Sequence, residues 1–197
     1  MSYLLVTERL RLRPFTEADG GLLYELDSDP EVMRFITGGK PTPRAEVEDR
    51  VLPLVLREHA LPGGTVRGMW AAEERATGAF VGWFELRPHS PEDAAAGVVE
   101  LGYRLRRAAW GKGYATEGSR ALIDKGFAEL GVRLITANTM FVNKGSRRVM
   151  EKCGLTFLRT FVGDWPEAIE GSEHGEVEYT LSRERWAADN GQPDPLT

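Results

Sequence analysis

The sequence predicts an α/β domain built on one sheet, and three observations carry that expectation. An apolar strand pattern, Val98 to Leu105, runs through a glycine turn into a helical pattern, Tyr114 to Leu130. Gly68 to Glu74 and Ala79 to Arg87, around Arg75-Ala76-Thr77-Gly78, read as a β-hairpin. The chain has 197 residues, 42% of them hydrophobic, enough for one sizeable core.

The elements follow in order. Arg9-Leu10-Arg11-Leu12-Arg13 alternates polar and apolar residues, as a half-buried strand does. Thr16-Glu17-Ala18-Asp19 has capping-box spacing and starts a helix through Leu22, Leu23 and Leu26. Asp29-Pro30-Glu31 puts a cap before a first-turn proline and opens a short helix through Phe35. After a break at Gly38-Gly39-Lys40-Pro41, Thr42-Pro43 starts a helix reaching about His59, which Pro53 should kink or split. Leu61-Pro62-Gly63-Gly64 is a turn before the hairpin, and Pro88 to Gly97 reads as a polar, alanine-rich loop.

The helix from Tyr114 keeps Ala115, Leu122, Ile123, Phe127 and Leu130 on one face, with Gly118 and Gly126 allowing close packing. A strand from Leu134 to Phe141 follows. Asn143 caps a helix that ends at Gly154. Strands Leu155–Val162 and Glu176–Ser182 flank a long loop. Residues 1–187 are expected to form a single domain and 188–197 a disordered tail.

Composition excludes several function classes. A net charge of −5 argues against non-specific nucleic-acid binding. No apolar run approaches the roughly 18 residues of a membrane span, and the N-terminal stretch has no basic n-region. The single cysteine, Cys153, suits a reducing cytoplasm and a small core position. His59, His89 and His174 show no ligand spacing, so no metal is expected.

Trp110-Gly111-Lys112-Gly113-Tyr114-Ala115-Thr116-Glu117 is the segment that carries chemistry. A glycine-bearing turn at a helix start presents unpaired backbone N–H groups and the positive end of the helix dipole to an anion. The glycines let a ligand approach without meeting a Cβ. A P-loop would need Gly-x-x-x-x-Gly-Lys with Ser or Thr, which no segment supplies. A dinucleotide fingerprint would need a third small residue, where Thr116 stands, and a later acid that Gly131-Val132-Arg133-Leu134-Ile135-Thr136 lacks.

This segment, with Glu100-Leu101-Gly102-Tyr103-Arg104-Leu105 before it and Asn143-Lys144-Gly145-Ser146 through Cys153-Gly154-Leu155 after it, resembles the GNAT acyl-CoA N-acyltransferase superfamily. Thr7-Glu8-Arg9-Leu10-Arg11-Leu12-Arg13-Pro14-Phe15 and Glu178-Tyr179-Thr180-Leu181 through Trp186 are similar to its branch containing the RimJ and RimL ribosomal-protein acetyltransferases. The resemblance spans about Thr7 to Trp186. It implies a mixed, mostly antiparallel sheet of about seven strands with helices on both faces. Two central parallel strands, here Val98–Leu105 and Leu134–Phe141, would splay to admit the cofactor.

The resemblance implies acetyl-CoA as co-substrate, its pyrophosphate held by backbone N–H groups around Trp110, Gly111, Lys112, Gly113, Tyr114, Ala115 and Thr116. Ala108 stands where the family pattern has Gln or Arg, leaving Arg106, Arg107 or Lys112 as candidate phosphate contacts. The Leu105 backbone would pair with the pantetheine arm, and Asn143 would touch the cofactor while capping its helix. Many relatives carry a tyrosine acid where this chain has Met150, so Ser146, one turn earlier, is the nearest proton donor for the leaving thiolate.

Glu100, inside an apolar strand, is the candidate base for the amine proton, its structural alternative being an ion pair to Arg104. Glu85 is the second choice, and Tyr103 reads as core. Asp164, Glu167, Glu170, Glu173, Glu176 and Glu178, in a stretch without Lys or Arg, are a candidate attraction for a cationic amine against the more common role of a solvated acidic loop. Trp70, Trp83 and Trp165 are candidate acceptor-pocket walls against a more common role in the core. The expected function is therefore cytoplasmic N-acetyl transfer, by direct transfer, to a protein N-terminal amine or a small-molecule amine. No nucleic-acid or membrane partner is expected, and a homodimer is compatible. The competing class is a non-catalytic acyl-CoA-binding module.

Overall fold

The computed structural model describes residues 3–60, 68–163 and 167–191. The chain opens with strands β1 (Leu5–Val6) and β2 (Leu10–Pro14) and helices α1 (Gly20–Ser28) and α2 (Pro30–Thr37). Helices α3 (Arg44–Glu46) and α4 (Leu52–Ala60) precede a hairpin of β3 (Gly68–Glu74) and β4 (Phe80–Arg87), then α5 (Pro91–Ala96). Next come β5 (Val98–Leu105), α6 (Tyr114–Glu129), β6 (Leu134–Met140) and α7 (Lys144–Lys152). Strands β7 (Thr156–Phe161) and β8 (Glu176–Ser182) and helix α8 (Arg183–Asp189) close the chain.

The strands form one 8-stranded sheet in the order β1-β2-β3-β4-β5-β6-β8-β7. The strand missing from the expected seven is the two-residue β1, which pairs with β2 through Leu5↔Leu12 and Val6↔Arg11. Every neighbouring pair is antiparallel except β5 and β6. These two run parallel and pair only from Val98↔Leu134 to Glu100↔Thr136. Beyond that point β5 stays with β4 through Leu105, and β6 stays with β8 through Met140. A wedge therefore opens between their C-terminal halves, as the family resemblance implies.

Strand alternation sorts the core onto two faces. On one, Phe84, Leu101 and Ile135 meet Leu122 and Phe127 of α6 and Trp186 of α8. On the other, Ala71 and Trp83 meet Leu23 and Leu26 of α1 and Val55 of α4. Each such burial contributes about 1.5–3 kcal/mol, more than the roughly 0–1 kcal/mol of a surface ion pair, so these faces fix the layers. Helix α6 lies close to the sheet because a Cβ at Gly118 would sit 2.3 Å from Phe84 Cζ.

Three elements differ from expectation. Pro53 does not split its helix. The turn Val47–Val51 widens so that Leu52 N–H donates to Val47 O, five residues back. That widening accommodates the proline ring and its missing donor. The expected loop after Pro88 contains α5, capped by Ser90, which accepts from Asp93 N at 3.1 Å, and closed by Gly97 at φ 72°. Helix α8, which follows the last strand without a glycine or proline break, is capped by Ser182 and buries Trp186. It ends beyond the expected boundary at residue 187. Residues 61–67 and 192–197 lie outside the described residues. Among the described residues, no helix is long and apolar enough to cross a membrane.

Candidate active site

The glycine turn follows β5 through a short helical turn at Arg107–Ala109. Gly111 and Gly113 take φ of 72° and 84°, a region where a Cβ costs about 1–2 kcal/mol. A Cβ at Gly111 would meet nothing within 4 Å, and one at Gly113 would meet only Arg9 Nη2 at 3.4 Å, so the turn has an open side. Gly113 is the N-cap of α6 and supplies no capping side chain. The first-turn N–H groups of Tyr114, Ala115 and Thr116 therefore project from the end of a 16-residue helix toward any anion placed there.

Trp110 has a structural task within this turn. Its Nε1 donates to Leu105 O at 2.8 Å, tying the turn to the strand end. Arg106 N donates to Val81 O at 2.9 Å, so by strand alternation the Leu105 N–H and C=O point away from β4, into the wedge. The Leu105 N–H is thus presented to the wedge, while its carbonyl already accepts one hydrogen bond. Of the three candidate cations, Arg106 is engaged by Glu25 of α1, and Arg107 and Lys112 are exposed at the turn. A cavity of about 570 Å³ beside them is lined by α1, α2 and residues 106–108.

The N-terminal segment clamps the turn from behind. Glu117 Oε1 accepts from Thr7 Oγ1 at 2.6 Å and from Arg9 N at 2.8 Å, and Oε2 accepts from Arg9 Nε at 2.6 Å. Arg9 Nη1 donates to Lys112 O at 2.9 Å, and its guanidinium lies 4.7 Å from the Tyr114 ring centroid. Burial works to raise the Glu117 carboxyl, but the bonds from Thr7 and Arg9 outweigh it and hold the group below the usual carboxylate range. Sequence reasoning missed this clamp, because its halves lie more than 100 residues apart.

Glu100 stands where the β5–β6 ladder ends. It faces the sheet side covered by α1, beside Arg87 in register on β4. Its Oε2 lies 2.5 Å from His89 Nε2, and Asn138 of β6 hydrogen-bonds it across the wedge. Burial raises the Glu100 carboxyl above the usual range, and nearby Glu178 adds to that rise. His89, Arg87 and Asn138 oppose it without cancelling it. The alternative ion pair to Arg104 does not form, because Arg104 reaches α1 instead and holds Asp27 at 2.5 Å. Glu85 lies over Gly102, where a Cβ would be 2.4 Å from its Oε1, and its other oxygen is 3.1 Å from Arg87 Nε. On β8, burial and the charge of Glu100 raise the Glu176 carboxyl, and Glu178 is paired with Arg159 at 2.5 Å. Glu85, Glu100, Glu176 and Glu178 thus share one sheet face around the wedge.

On the α7 side of the wedge, Asn143 Oδ1 accepts from Ser146 N at 3.2 Å, which makes it the helix cap. Its amide nitrogen donates to Thr139 Oγ1 at 3.1 Å, so that group has an internal partner. Tyr103 packs against the core, as expected, and its hydroxyl also reaches across the wedge. Its Oη lies 2.9 Å from Ser146 Oγ and donates to Ser146 O at 3.1 Å. Burial raises its phenol well above the ordinary value, against the opposing Ser146 hydrogen bond. Met150 is buried in the core. Burial pushes the Cys153 thiol up to about 11, so it is held as a thiol at neutral pH.

Two features of the acceptor side follow the more common of their two readings. The acidic stretch has counter-ions, supplied by other segments: Lys40 holds Glu167, and Arg34 of α2 lies 3.3 Å from Glu170. Trp70 and Trp83 are 1% and 7% exposed and belong to the two cores, the more common role for a tryptophan. Asp164 and Trp165 lie outside the described residues.

Known proteins resemble this chain in sequence and fold. The family model described as "Acetyltransferase (GNAT) domain" matches residues 9–156. The chain is 36% identical over 186 residues to FsC-acetyl coenzyme A-N(2)-transacetylase of Aspergillus fumigatus, covering 92% of this chain and 77% of that one. A solved GNAT-family acetyltransferase from Bacillus anthracis superposes with a TM-score of 0.73 at 23% identity, covering 91% of this chain and 98% of that one. RimL, a ribosomal L7/L12 α-N-protein acetyltransferase solved with coenzyme A, gives a TM-score of 0.77 at 16% identity, covering 93% and 99%. At those identities the two structures support the fold alone.

Proposed function

The chain belongs to the GNAT acetyltransferase family, and from that premise we propose that it transfers an acetyl group from acetyl-CoA to a primary amine by direct transfer in a ternary complex. The observation that carries this reading is the wedge between β5 and β6, with an uncapped helix N-terminus at its mouth and a half-buried carboxylate, Glu100, at its root. The residues present fit the cofactor: the turn offers backbone donors with open space above the glycines, and Leu105 offers an N–H inside the wedge.

When bound, acetyl-CoA supplies an activated acyl carbon. The turn's N–H groups, from Gly111 to Thr116, hold its pyrophosphate. Glu100, directly or through water, accepts a proton from the amine, so that the nitrogen lone pair attacks the carbonyl carbon. As the C–S bond breaks, the thiolate would take a proton from the Ser146 hydroxyl, which Tyr103 steadies and which solvent would reprotonate, or directly from solvent. The carboxylates around the wedge favour a cationic acceptor, whether a protein N-terminal amine or a small-molecule amine. The name of the Aspergillus relative, which specifies transfer from acetyl coenzyme A to an N(2) position, supports nitrogen as the acceptor. Kinship to the RimJ and RimL branch, residues 1–187 as one catalytic domain, and a cytoplasmic site of action belong to the same proposal.

A non-catalytic acyl-CoA-binding module is the second reading, favoured by Met150 where many relatives carry a tyrosine. Release of free CoA thiol from acetyl-CoA with a panel of amines separates the two. Amine-dependent release is expected. Tight acetyl-CoA binding with no release across the panel would establish the module.

A further inference from the structure

We propose that His89 is the proton outlet of Glu100. It acts as a positioning residue that holds the carboxylate and passes its proton to solvent. The proposal rests on Glu100 as the base for the amine proton. Each turnover then leaves a proton on a carboxyl whose side chain is only 19% exposed, and that proton must leave before the next amine is activated. Burial opposes this departure, because the charged form is the disfavoured one.

His89 bridges that gap. Its Nε2 is 2.5 Å from Glu100 Oε2, while its side chain is 57% exposed. Its loop position is fixed by the adjoining cap, where Ser90 accepts from Asp93 N at 3.1 Å. The other groups facing Glu100 are Arg87 on β4, Asn138 on β6, and Glu178 and Glu176 on β8. An arginine does not deprotonate and an amide does not relay. Glu178 is held by Arg159, and Glu176 is itself a carboxyl raised by burial. Imidazole alone among these groups has one nitrogen that accepts while the other releases.

The steps balance. The amine proton forms the O–H bond of Glu100. That O–H breaks as Nε2 of neutral His89 takes the proton. The resulting imidazolium gives its Nδ1 proton to water, and the ring restores its tautomer through solvent exchange. The carboxylate is regenerated with no net change in the protein.

The test compares wild type, His89→Ala, His89→Gln, Glu100→Gln and the double variant His89→Ala/Glu100→Gln, using the amine best turned over by wild type. Turnover is measured across pH and across imidazole concentration at constant ionic strength. Both His89 variants should keep the acetyl-CoA KM and lose kcat on the order of tenfold, less than the about 10²–10⁴-fold expected for the base itself. Imidazole should restore kcat in His89→Ala and do nothing in the double variant. Gln keeps a hydrogen bond to Glu100 but cannot relay, so full activity in His89→Gln would overturn the relay. A His89→Ala rate indifferent to imidazole would do the same. Normal turnover by Glu100→Gln would instead overturn the assignment of the base, a result distinct from failure of the relay alone.

Discussion

The glycine turn and the carboxylate face are two halves of one site made from opposite materials. The turn works through main-chain N–H groups at the exposed start of α6, with Gly111, Lys112 and Gly113 all solvent-facing. The carboxylate face works through side chains from β4, β5 and β8, half-buried and tuned by one another. No substitution deletes a backbone N–H short of proline, so the turn is sensitive only to backbone shape and to the clamp behind it. The face depends on protonation states that burial sets, so a change that preserves shape is enough to silence it.

The largest expected effect is therefore an isosteric one. Glu100→Gln should lower kcat by about 10²–10⁴-fold and leave acetyl-CoA affinity, read by calorimetry, unchanged. In wild type, kcat/KM should fall as pH drops through the raised Glu100 pKa, above the range where an ordinary glutamate titrates. The stability sign is opposite. A carboxyl raised on folding contributes stability below its unfolded pKa, and that contribution is lost as pH rises through the folded pKa. Glu100→Gln, neutral throughout, should melt at or above the wild-type temperature at neutral pH. A lower melting temperature there would mean the carboxylate is held for structure.

Next in size is the turn itself. Gly113→Val adds a β-branched side chain where φ is 84°, and Gly111→Val does so where φ is 72°. Strain of about 1–2 kcal/mol, together with blocked approach, should weaken acetyl-CoA binding by roughly tenfold or more in each. NAD should show no binding to wild type. Wild-type calorimetric affinity in both variants would place the phosphates elsewhere.

The clamp should matter less, because it acts on the turn indirectly. Arg9→Ala removes bonds to Glu117 and Lys112 and should raise the acetyl-CoA KM several-fold, on the order of 1 kcal/mol, with kcat retained. Because Glu117 is held low, the clamp is intact above the ordinary glutamate range and fails as pH falls through its folded pKa. A kcat loss without a KM change would put Arg9 in some other role.

The same contrast explains what was legible in the sequence. A glycine turn, a helix cap at Asn143 and a lone carboxylate in an apolar strand are local patterns, so the flanks could be placed from residue types, while the wedge between them came only from the family resemblance. What escaped depends on register. Asn138 meets Glu100 only because β6 runs parallel to β5 for three residue pairs and then departs. Tyr103 looked like core because its odd position faces Phe84, and only the placement of α7 brings Ser146 to its hydroxyl. Arg104 shares the parity of Glu100, yet Asp27 of α1 outcompetes that neighbour. Helix α5 was missed despite a serine cap and a closing glycine, because a proline followed by small and acidic residues also describes a loop.

The smallest expected effect tests where the charge that selects the acceptor resides. Glu167 and Glu170 are exposed and matched by Lys40 and Arg34, so the loop's field is largely neutralised at its source. Surface pairs of this kind are worth roughly 0–1 kcal/mol, and screening confines their reach to about 8–10 Å at moderate salt. Glu167→Gln/Glu170→Gln/Glu173→Gln should therefore change the cation-to-neutral ratio of kcat/KM by no more than about twofold. Glu178 and Glu176 sit on the sheet face itself, where partial burial weakens screening. Glu178→Gln removes a negative charge there and frees the Arg159 guanidinium, so it should erode the cation preference more than the triple variant does. Comparing matched cationic and neutral amines at low and moderate ionic strength reads both effects. If the triple variant abolishes the preference while Glu178→Gln leaves it intact, the exposed loop steers the acceptor and the carboxylate face serves proton transfer alone.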